Sequence, residues 1–130
     1  MVAAQDVLNF WFNEIAPKQW WEKSPQFDDL IRRRFGDLLN RALRCELAEW
    51  RATPEGRLAE ILVLDQFSRN IHRDSARAFA GDGIALALAQ EAVSTGADSA
   101  LPVDRRAFLY LPYMHSESAL IHEVAVRLFS

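Results

Sequence analysis

Hydrophobic residues recur at spacings of three and four along most of the chain, the period that places them on one face of an α-helix. The longest stripe follows Ser24 and Pro25, a capping residue and a proline at the first helical position, and predicts a helix that ends near Ala48. Its apolar positions are Phe27, Leu30, Ile31, Phe35, Leu38, Leu39, Ala42, Leu43 and Leu47. On the polar face, acids precede arginines by four residues, as is typical of exposed helices: Asp28 with Arg32, Asp29 with Arg33, and Asp37 with Arg41.

Two later segments are apolar on every side, which predicts helices in the middle of the core. One contains residues 61–64 and begins at the capping pair Thr53 and Pro54. The other contains residues 108–111 and begins after Pro102. We expect these two central helices to pack against each other.

Three further segments bring the prediction to about six helices and no strand. Asp82 caps an alanine-rich segment that stops at Gly96, and alanine favours a helix there over a strand. Residues 7–14 and 118–129 form the first and last helices. The connections are short, so the sequence predicts a single all-α domain over residues 1–130, built of antiparallel helical hairpins.

Composition narrows the class of protein. Half of the residues are hydrophobic and four are tryptophans, enough for a core without crosslinks. The single cysteine, Cys45, is predicted to be a small buried hydrophobe, and a lone thiol suits a reducing compartment. The chain has no signal-like start and no apolar run of membrane length, so we expect a cytoplasmic protein without a membrane partner. A net charge of −3 argues against nucleic-acid binding.

Each central helix leads directly into a cluster of polar residues. The first cluster consists of Asp65, Gln66, Arg69 and Asn70, continued by His72, Arg73 and Arg77. The second is His115, Ser116 and Glu117, shortly after Pro112, whose ring should kink or end its helix nearby. Because Asp65 and Arg69 are four residues apart, we expect a partly buried ion pair that orients the following loop. Gln66 and Asn70 have the same spacing.

Packing of the central helices would bring both clusters to one end of the core. Arg69, Arg73 and Arg77 predict a pocket for a carboxylate or phosphate, in which His115 would add pH sensitivity. The alternative is a structural network, because polar groups at the ends of buried helices must be hydrogen-bonded. The histidine spacings predict no metal site, and the chain lacks a glycine-rich phosphate loop and a nucleophile elbow, so no cofactor is expected.

Four ordered motifs carry a resemblance to a known family. They are VLNFWF at residues 7–12, DQFSRNI at 65–71, RAFA at 77–80 and FLYLPYMHSE at 108–117. Over nearly its whole length the chain resembles the bacterial domain-of-unknown-function family 924. The resemblance implies a tetratricopeptide-like, right-handed α-superhelix and brings no established activity.

Three departures from the family pattern accompany the resemblance. Ser68 stands where the family usually has proline, and His72 where an aromatic residue is common, which implies a locally different loop. Family members usually continue well past Phe129 with a further helix and a basic, aromatic motif. The resemblance therefore implies that this chain lacks the C-terminal extension. If that extension normally covers core surface, we expect an exposed apolar patch near the last helix and self-association.

The sequence supports two hypotheses about function. The first, resting mainly on the resemblance, is a module that binds a protein or peptide partner along a concave face. The second is an enzyme or binding protein for a small anionic ligand, with a pocket built from Asp65, Arg69, Asn70, Arg73, Arg77, His115 and Glu117. A mostly apolar pocket with a few convergent polar groups favours the second. A broad groove lined by tryptophan and arginine favours the first. Trp20 and Trp21 themselves are predicted to plug the edge of the core.

Overall fold

The structure, a computed structural model, describes residues 2–130 and is helical throughout. Its α-helices are α1 (Ala4–Asn9), α2 (Pro25–Leu43), α3 (Pro54–Leu62), α4 (Ser68–Ile71), α5 (Asp82–Thr95), α6 (Val103–His115) and α7 (Ala119–Phe129). A π-helical turn, Phe10–Glu14, extends α1, and another, Val63–Phe67, joins α3 to α4 in one rod. Short 3-10 segments lie at Pro17–Trp20, Ala48–Ala52, Ala76–Phe79 and Ala97–Ala100. No strand occurs within residues 2–130, and the predicted all-α fold of about six helices is confirmed.

Capping side chains mark the starts of α2, α3 and α7. The Ser24 side chain accepts a hydrogen bond from the Phe27 backbone N–H at 3.3 Å, and the Thr53 side chain accepts one from Gly56 at 3.0 Å. Gly96 adopts the left-handed conformation, with φ 79°, that ends α5 as predicted. The start of α5 differs from the prediction, because Asp82 is its first helical residue and Gly81 is the N-cap.

The end of α2 also differs from the prediction. The helix stops at Leu43 instead of continuing to Ala48, because Cys45 adopts a left-handed conformation with φ 60°. The Cys45 N–H bonds to the Ala42 carbonyl and the Glu46 N–H to the Arg41 carbonyl, which is the Schellman pattern of a helix end. Cys45 is solvent-exposed there, so its prediction as a buried hydrophobe is wrong.

The central helices α3 and α6 pack against each other, as predicted. Residues 61–64 are fully buried, and so is most of residues 108–110. Around them lies a cluster of aromatic rings: Phe10, Trp11, Phe27, Phe35, Phe67 and Phe108. None of the helices within residues 2–130 has both the length and the apolar character needed to cross a bilayer.

Trp20 plugs the edge of this core, as predicted, and donates a hydrogen bond from its indole nitrogen to the Trp11 carbonyl at 2.9 Å. Trp21 stacks on Phe108 at 5.8 Å but is 67% exposed, so the prediction holds for Trp20 only. The two neighbouring tryptophans therefore have different environments. Trp21 presents an aromatic surface to solvent.

On α2, Asp29 forms its predicted pair with Arg33 at 2.9 Å. Asp28 does not pair with Arg32, and its side chain turns inward and is buried. Arg41 pairs with Glu46 at 3.7 Å, and its predicted pairing with Asp37 is wrong. The helix face assigned to solvent therefore contains one acid that belongs to the interior.

Candidate functional site

Asp65 is the centre of the polar network. It lies in the π-helical turn Val63–Phe67, where its side chain is 1% exposed. Its carboxylate accepts hydrogen bonds from Gln66 Nε2 at 2.8 Å, from Arg69 Nη1 at 3.1 Å and from His115 Nδ1 at 2.7 Å. The predicted ion pair of Asp65 with Arg69 and the predicted meeting of the two polar clusters are both confirmed. Wide π-helical turns are frequent at functional sites, since they reposition individual side chains.

His115 is the last residue of α6, and its hydrogen bond to Asp65 determines that Nδ1 is a ring nitrogen that carries a proton. A carboxylate can only accept hydrogen bonds, so the Nδ1 atom of His115 must carry a proton. The neutral ring then offers an acceptor at Nε2, and the charged ring offers a donor there. The side chain is 26% exposed, so its outer part reaches the adjoining cavities.

Arg69 is held by two carboxylates. Besides Asp65, it binds Asp82 through two hydrogen bonds of 2.8 and 3.0 Å, one from each terminal nitrogen. Its guanidinium carbon also lies 5.3 Å from the centre of the Phe79 ring. Asp82 was predicted only as a helix cap, and its role at the site was missed.

A second ion pair lies next to the first. Arg73 donates to Asp28 at 2.6 and 3.1 Å, and Asn70 donates to the same carboxylate at 2.9 Å. These hydrogen bonds to Asp28 raise the pKa of the Arg73 guanidinium. Asn70 therefore pairs with Asp28 rather than with Gln66. The role of Asp28 was not predicted, because its spacing of four from Arg32 suggested an exposed ion pair. Asp28 also precedes Ile31 by three residues, which places it on the side of the apolar stripe.

Two cavities meet at Arg69 and His115, and together we call them the cleft. The Phe79 cavity, of about 510 Å³, is lined by Arg69, Phe79, Asp82, Gly83, Leu86, Pro112, His115, Ser116 and Glu117. The Trp21 cavity, of about 230 Å³, is lined by Trp20, Trp21, Glu22, Gln66, Arg69, Asn70, Arg73, Leu111 and His115. Each cavity combines apolar or aromatic walls with the same two polar side chains. The cleft therefore contains most of the predicted site residues.

Arg77 stands apart from the cleft and lines neither cavity. Its carbonyl and that of Ala78 accept hydrogen bonds from the buried Ser68 hydroxyl, at 3.3 and 2.9 Å. Ser68, at the position where the resemblance implies a proline, thus anchors the segment that contains Arg77 and Ala78 to α4. His72 begins this loop, and its pKa is lowered by burial, with smaller contributions from Arg77 and Arg32.

Both arginines of the cleft are already paired. Arg69 and Arg73 each bind a carboxylate in a bidentate manner, and Glu117 and Glu22 add further acids to the walls. An incoming anion must therefore compete with Asp82 or Asp28, and the predicted preference for an anion stays a prediction. Within residues 2–130, no three potential metal ligands gather in one place.

Fold and cleft together define an all-α protein in which a buried carboxylate holds an arginine and a histidine between two cavities. The chain belongs to the family described as bacterial protein of unknown function (DUF924), whose sequence model matches residues 7–130. It is similar to a solved structure described as a protein of unknown function, ATU0120, from Agrobacterium tumefaciens, with 38% identity and a TM-score of 0.92. The similarity covers 96% of this chain and 70% of that one. A comparison with curated proteins found no match. The predicted family is confirmed, and the superhelical arrangement stays a prediction.

Proposed function

We propose that this protein binds a small molecule in the cleft, with a polar group of the ligand between Arg69 and His115. The observation that carries the proposal is the buried Asp65, which fixes both side chains where the two cavities meet. The volume of the larger cavity, about 510 Å³, falls in the range of about 300–1,000 Å³ usual for small-molecule sites. Apolar walls with a few convergent polar groups are the usual composition of such sites.

The ligand we propose has an apolar or aromatic body and a hydroxyl or amine group. Phe79, Leu86 and Pro112 supply apolar contacts in the larger cavity. The hydroxyl or amine donates to Nε2 of neutral His115, the one ring nitrogen that Asp65 does not occupy. The same nitrogen is placed to accept a proton from the ligand, which is the first requirement of a general base. The proposal therefore extends to an enzyme that uses His115 for acid–base catalysis.

Binding of a peptide or protein segment is the second candidate function. It is favoured by the exposure of an aromatic side chain at either end of the cleft, Trp21 at 67% and Phe79 at 59%. Exposed aromatic residues are common anchors for peptide side chains. An extended peptide would cross both cavities, whereas a small molecule would occupy one of them.

The experiment is a ligand-observed NMR screen of neutral, cationic and anionic fragments at millimolar concentration. The key variant is His115→Asn, because an Asn amide can still donate to Asp65 but lacks the outer ring nitrogen. We expect hydroxyl- or amine-bearing aromatic fragments to bind the parent chain and to lose at least tenfold in affinity in this variant. The matched control, His122→Asn, removes a histidine outside the cleft and should bind as the parent does.

Three results would count against the small-molecule proposal. The first is equal binding to the parent and His115→Asn, and the second is the absence of any fragment hit. The third is binding of extended peptides with an affinity that Trp21→Ala and Phe79→Ala both weaken. That last result would establish the peptide candidate instead.

A further inference from the structure

The Phe79 cavity of the cleft carries more negative than positive charge. Its arginine and carboxylate lining residues are Arg69, Asp82 and Glu117. The buried Asp65 adds a third carboxylate, because its Oδ1 atom lies 3.1 Å from Nη1 of Arg69. One arginine is therefore set against three carboxylates, two of which line the cavity itself. A cavity with one sign of charge in excess concentrates ligands of the opposite sign.

Arg69 has little capacity left for an anion. Its two terminal nitrogens donate to the two oxygens of Asp82, at 2.8 and 3.0 Å, and Nη1 also donates to Asp65. An anionic ligand would have to displace one of these charge-assisted hydrogen bonds and would then face the remaining carboxylates. The cavity therefore favours the opposite charge to the one that the arginines of the sequence predict.

Glu117 is the carboxylate that is free to pair with a cationic ligand. It lies two residues beyond the end of α6 and is exposed. Within residues 2–130, none of the ion pairs includes Glu117, whereas Asp65 and Asp82 both hold Arg69. His115 lines the same cavity, and its Nε2 atom is an acceptor when the ring is neutral. The cavity thus has a charged and a neutral acceptor for the same donor group.

We infer that the ligand of the Phe79 cavity is a protonated primary or secondary amine with an aromatic or branched apolar body. The inference rests on the proposed function and narrows it, since a neutral alcohol satisfies His115 but leaves Glu117 without a counter-charge. The ammonium group donates to Nε2 of His115 and is attracted by Glu117, while the body packs on the apolar wall of the cavity. The Phe79 ring suits such a ligand because aromatic rings attract cations, and the guanidinium carbon of Arg69 already lies 5.3 Å from its centre.

Three probes with the same aromatic body and different charges test the inference on the full chain: phenethylamine, phenethyl alcohol and phenylacetate. Titrations followed by ligand-observed NMR give the dissociation constant of each probe near neutral pH. We expect the amine to bind at least about fivefold more tightly than the alcohol, and phenylacetate to bind more weakly than either. Added salt should weaken the amine complex and leave the alcohol complex unchanged, because salt screens charges.

Glu117→Gln is the key variant, because it removes the charge and keeps the size of the side chain. It should weaken binding of the amine about threefold and leave binding of the alcohol unchanged. The matched control is Glu123→Gln, which neutralises an exposed acid of α7 outside the cleft and should bind every probe as the parent does. Glu22→Gln neutralises the acid of the Trp21 cavity and should have a smaller effect than Glu117→Gln. Circular dichroism checks that each variant is folded.

The inference and the proposed function fail in different ways. If none of the probes binds, both are wrong. If the alcohol binds and loses affinity in His115→Asn, but the amine binds no more tightly than the alcohol, the cleft is a binding site and the inference about charge is overturned. Equal effects of Glu117→Gln and Glu123→Gln on the amine, or a larger effect of Glu22→Gln, overturn it as well. Tightest binding of phenylacetate would instead support the anion pocket expected from the sequence.

Discussion

Replacing Asp65 with alanine is the most direct test of how the cleft is held together. The change removes a carboxylate whose side chain is 1% exposed and whose partners are Gln66, Arg69 and His115. Breaking a buried ion pair by removing one partner typically costs about 3–5 kcal/mol, because the other charge is left uncompensated. We expect Asp65→Ala to destabilise the protein at the lower end of that range.

Two features of Arg69 place the expected cost near 3 kcal/mol. After the substitution it still forms both hydrogen bonds to Asp82, so its charge keeps one partner. Its side chain is also 24% exposed, so water relieves part of the loss. The remaining cost comes from the lost hydrogen bonds of Gln66 and His115 and from the space left by the carboxylate.

The assay is equilibrium unfolding in urea, followed by fluorescence of the four tryptophans. The urea concentration at the unfolding midpoint should be lower for Asp65→Ala, while the slope of the unfolding free energy against urea concentration stays constant. Asp29→Ala is the matched control, because that acid forms half-exposed pairs with Arg32 and Arg33 on α2 and should cost at most about 0.5 kcal/mol. A double-mutant cycle with Arg69→Ala isolates the coupling between the two charges. An Asp65→Ala midpoint equal to that of the Asp29→Ala control would refute the reasoning.

Two further predictions concern the core. Gly56→Ala should lower the free energy of unfolding by about 2 kcal/mol or more, because the new Cβ meets the Trp50 carbonyl. Gly36→Ala, whose nearest neighbour is Arg32 Cγ at 3.9 Å, should be neutral or stabilising by up to about 1 kcal/mol, and an equal loss in both variants would contradict this account. Burial, with the hydrogen bond to Asp98, raises the pKa of Tyr110 to about 12, and burial raises the pKa of Tyr113. An ultraviolet titration of these two tyrosines, the only ones in the sequence, should therefore show less phenolate near pH 10 in the native protein than in the urea-unfolded chain. Since the unfolded chain ionises first, stability should decline as the pH rises from about 10 towards 12, and native ionisation near pH 10 would exclude the raised values.

Helix positions and the central pair of helices were predictable from the sequence, because they follow from periodicity and capping. The stripe after Ser24 and the apolar runs at residues 61–64 and 108–111 are local signals that packing reinforces. The end of α2 was not predictable in this way. It depends on the left-handed conformation of Cys45. Glycine and asparagine adopt that conformation most readily, so a cysteine at this position does not predict it.

The polar network was predictable only in part, since acids can serve several partners. Asp65 and Arg69 have the helical spacing that brings side chains together, so their pair could be read from the chain. Asp28 and Asp82 each had a plausible local role, one as a surface ion-pair partner and the other as a helix cap. Their true partners, Arg73 and Arg69, lie 45 and 13 residues away along the chain. Rules based on spacings of three or four residues do not predict contacts between residues so far apart in the sequence.

The distribution of exposure within the network bears on whether it is structural or functional. Asp65 is 1% exposed, whereas Arg69 and His115, both bonded to it, are 24% and 26% exposed and line both cavities. A network that only satisfies helix ends needs no such outward-facing members, because its groups are saturated by one another. Here the buried acid bonds the terminal nitrogen Nη1 of Arg69 and the inner ring nitrogen of His115, and both side chains border open space. Stability should therefore depend mainly on Asp65, and ligand binding on the Nε2 atom of His115. Unfolding and ligand-binding measurements on Asp65→Ala and His115→Asn would separate the two roles.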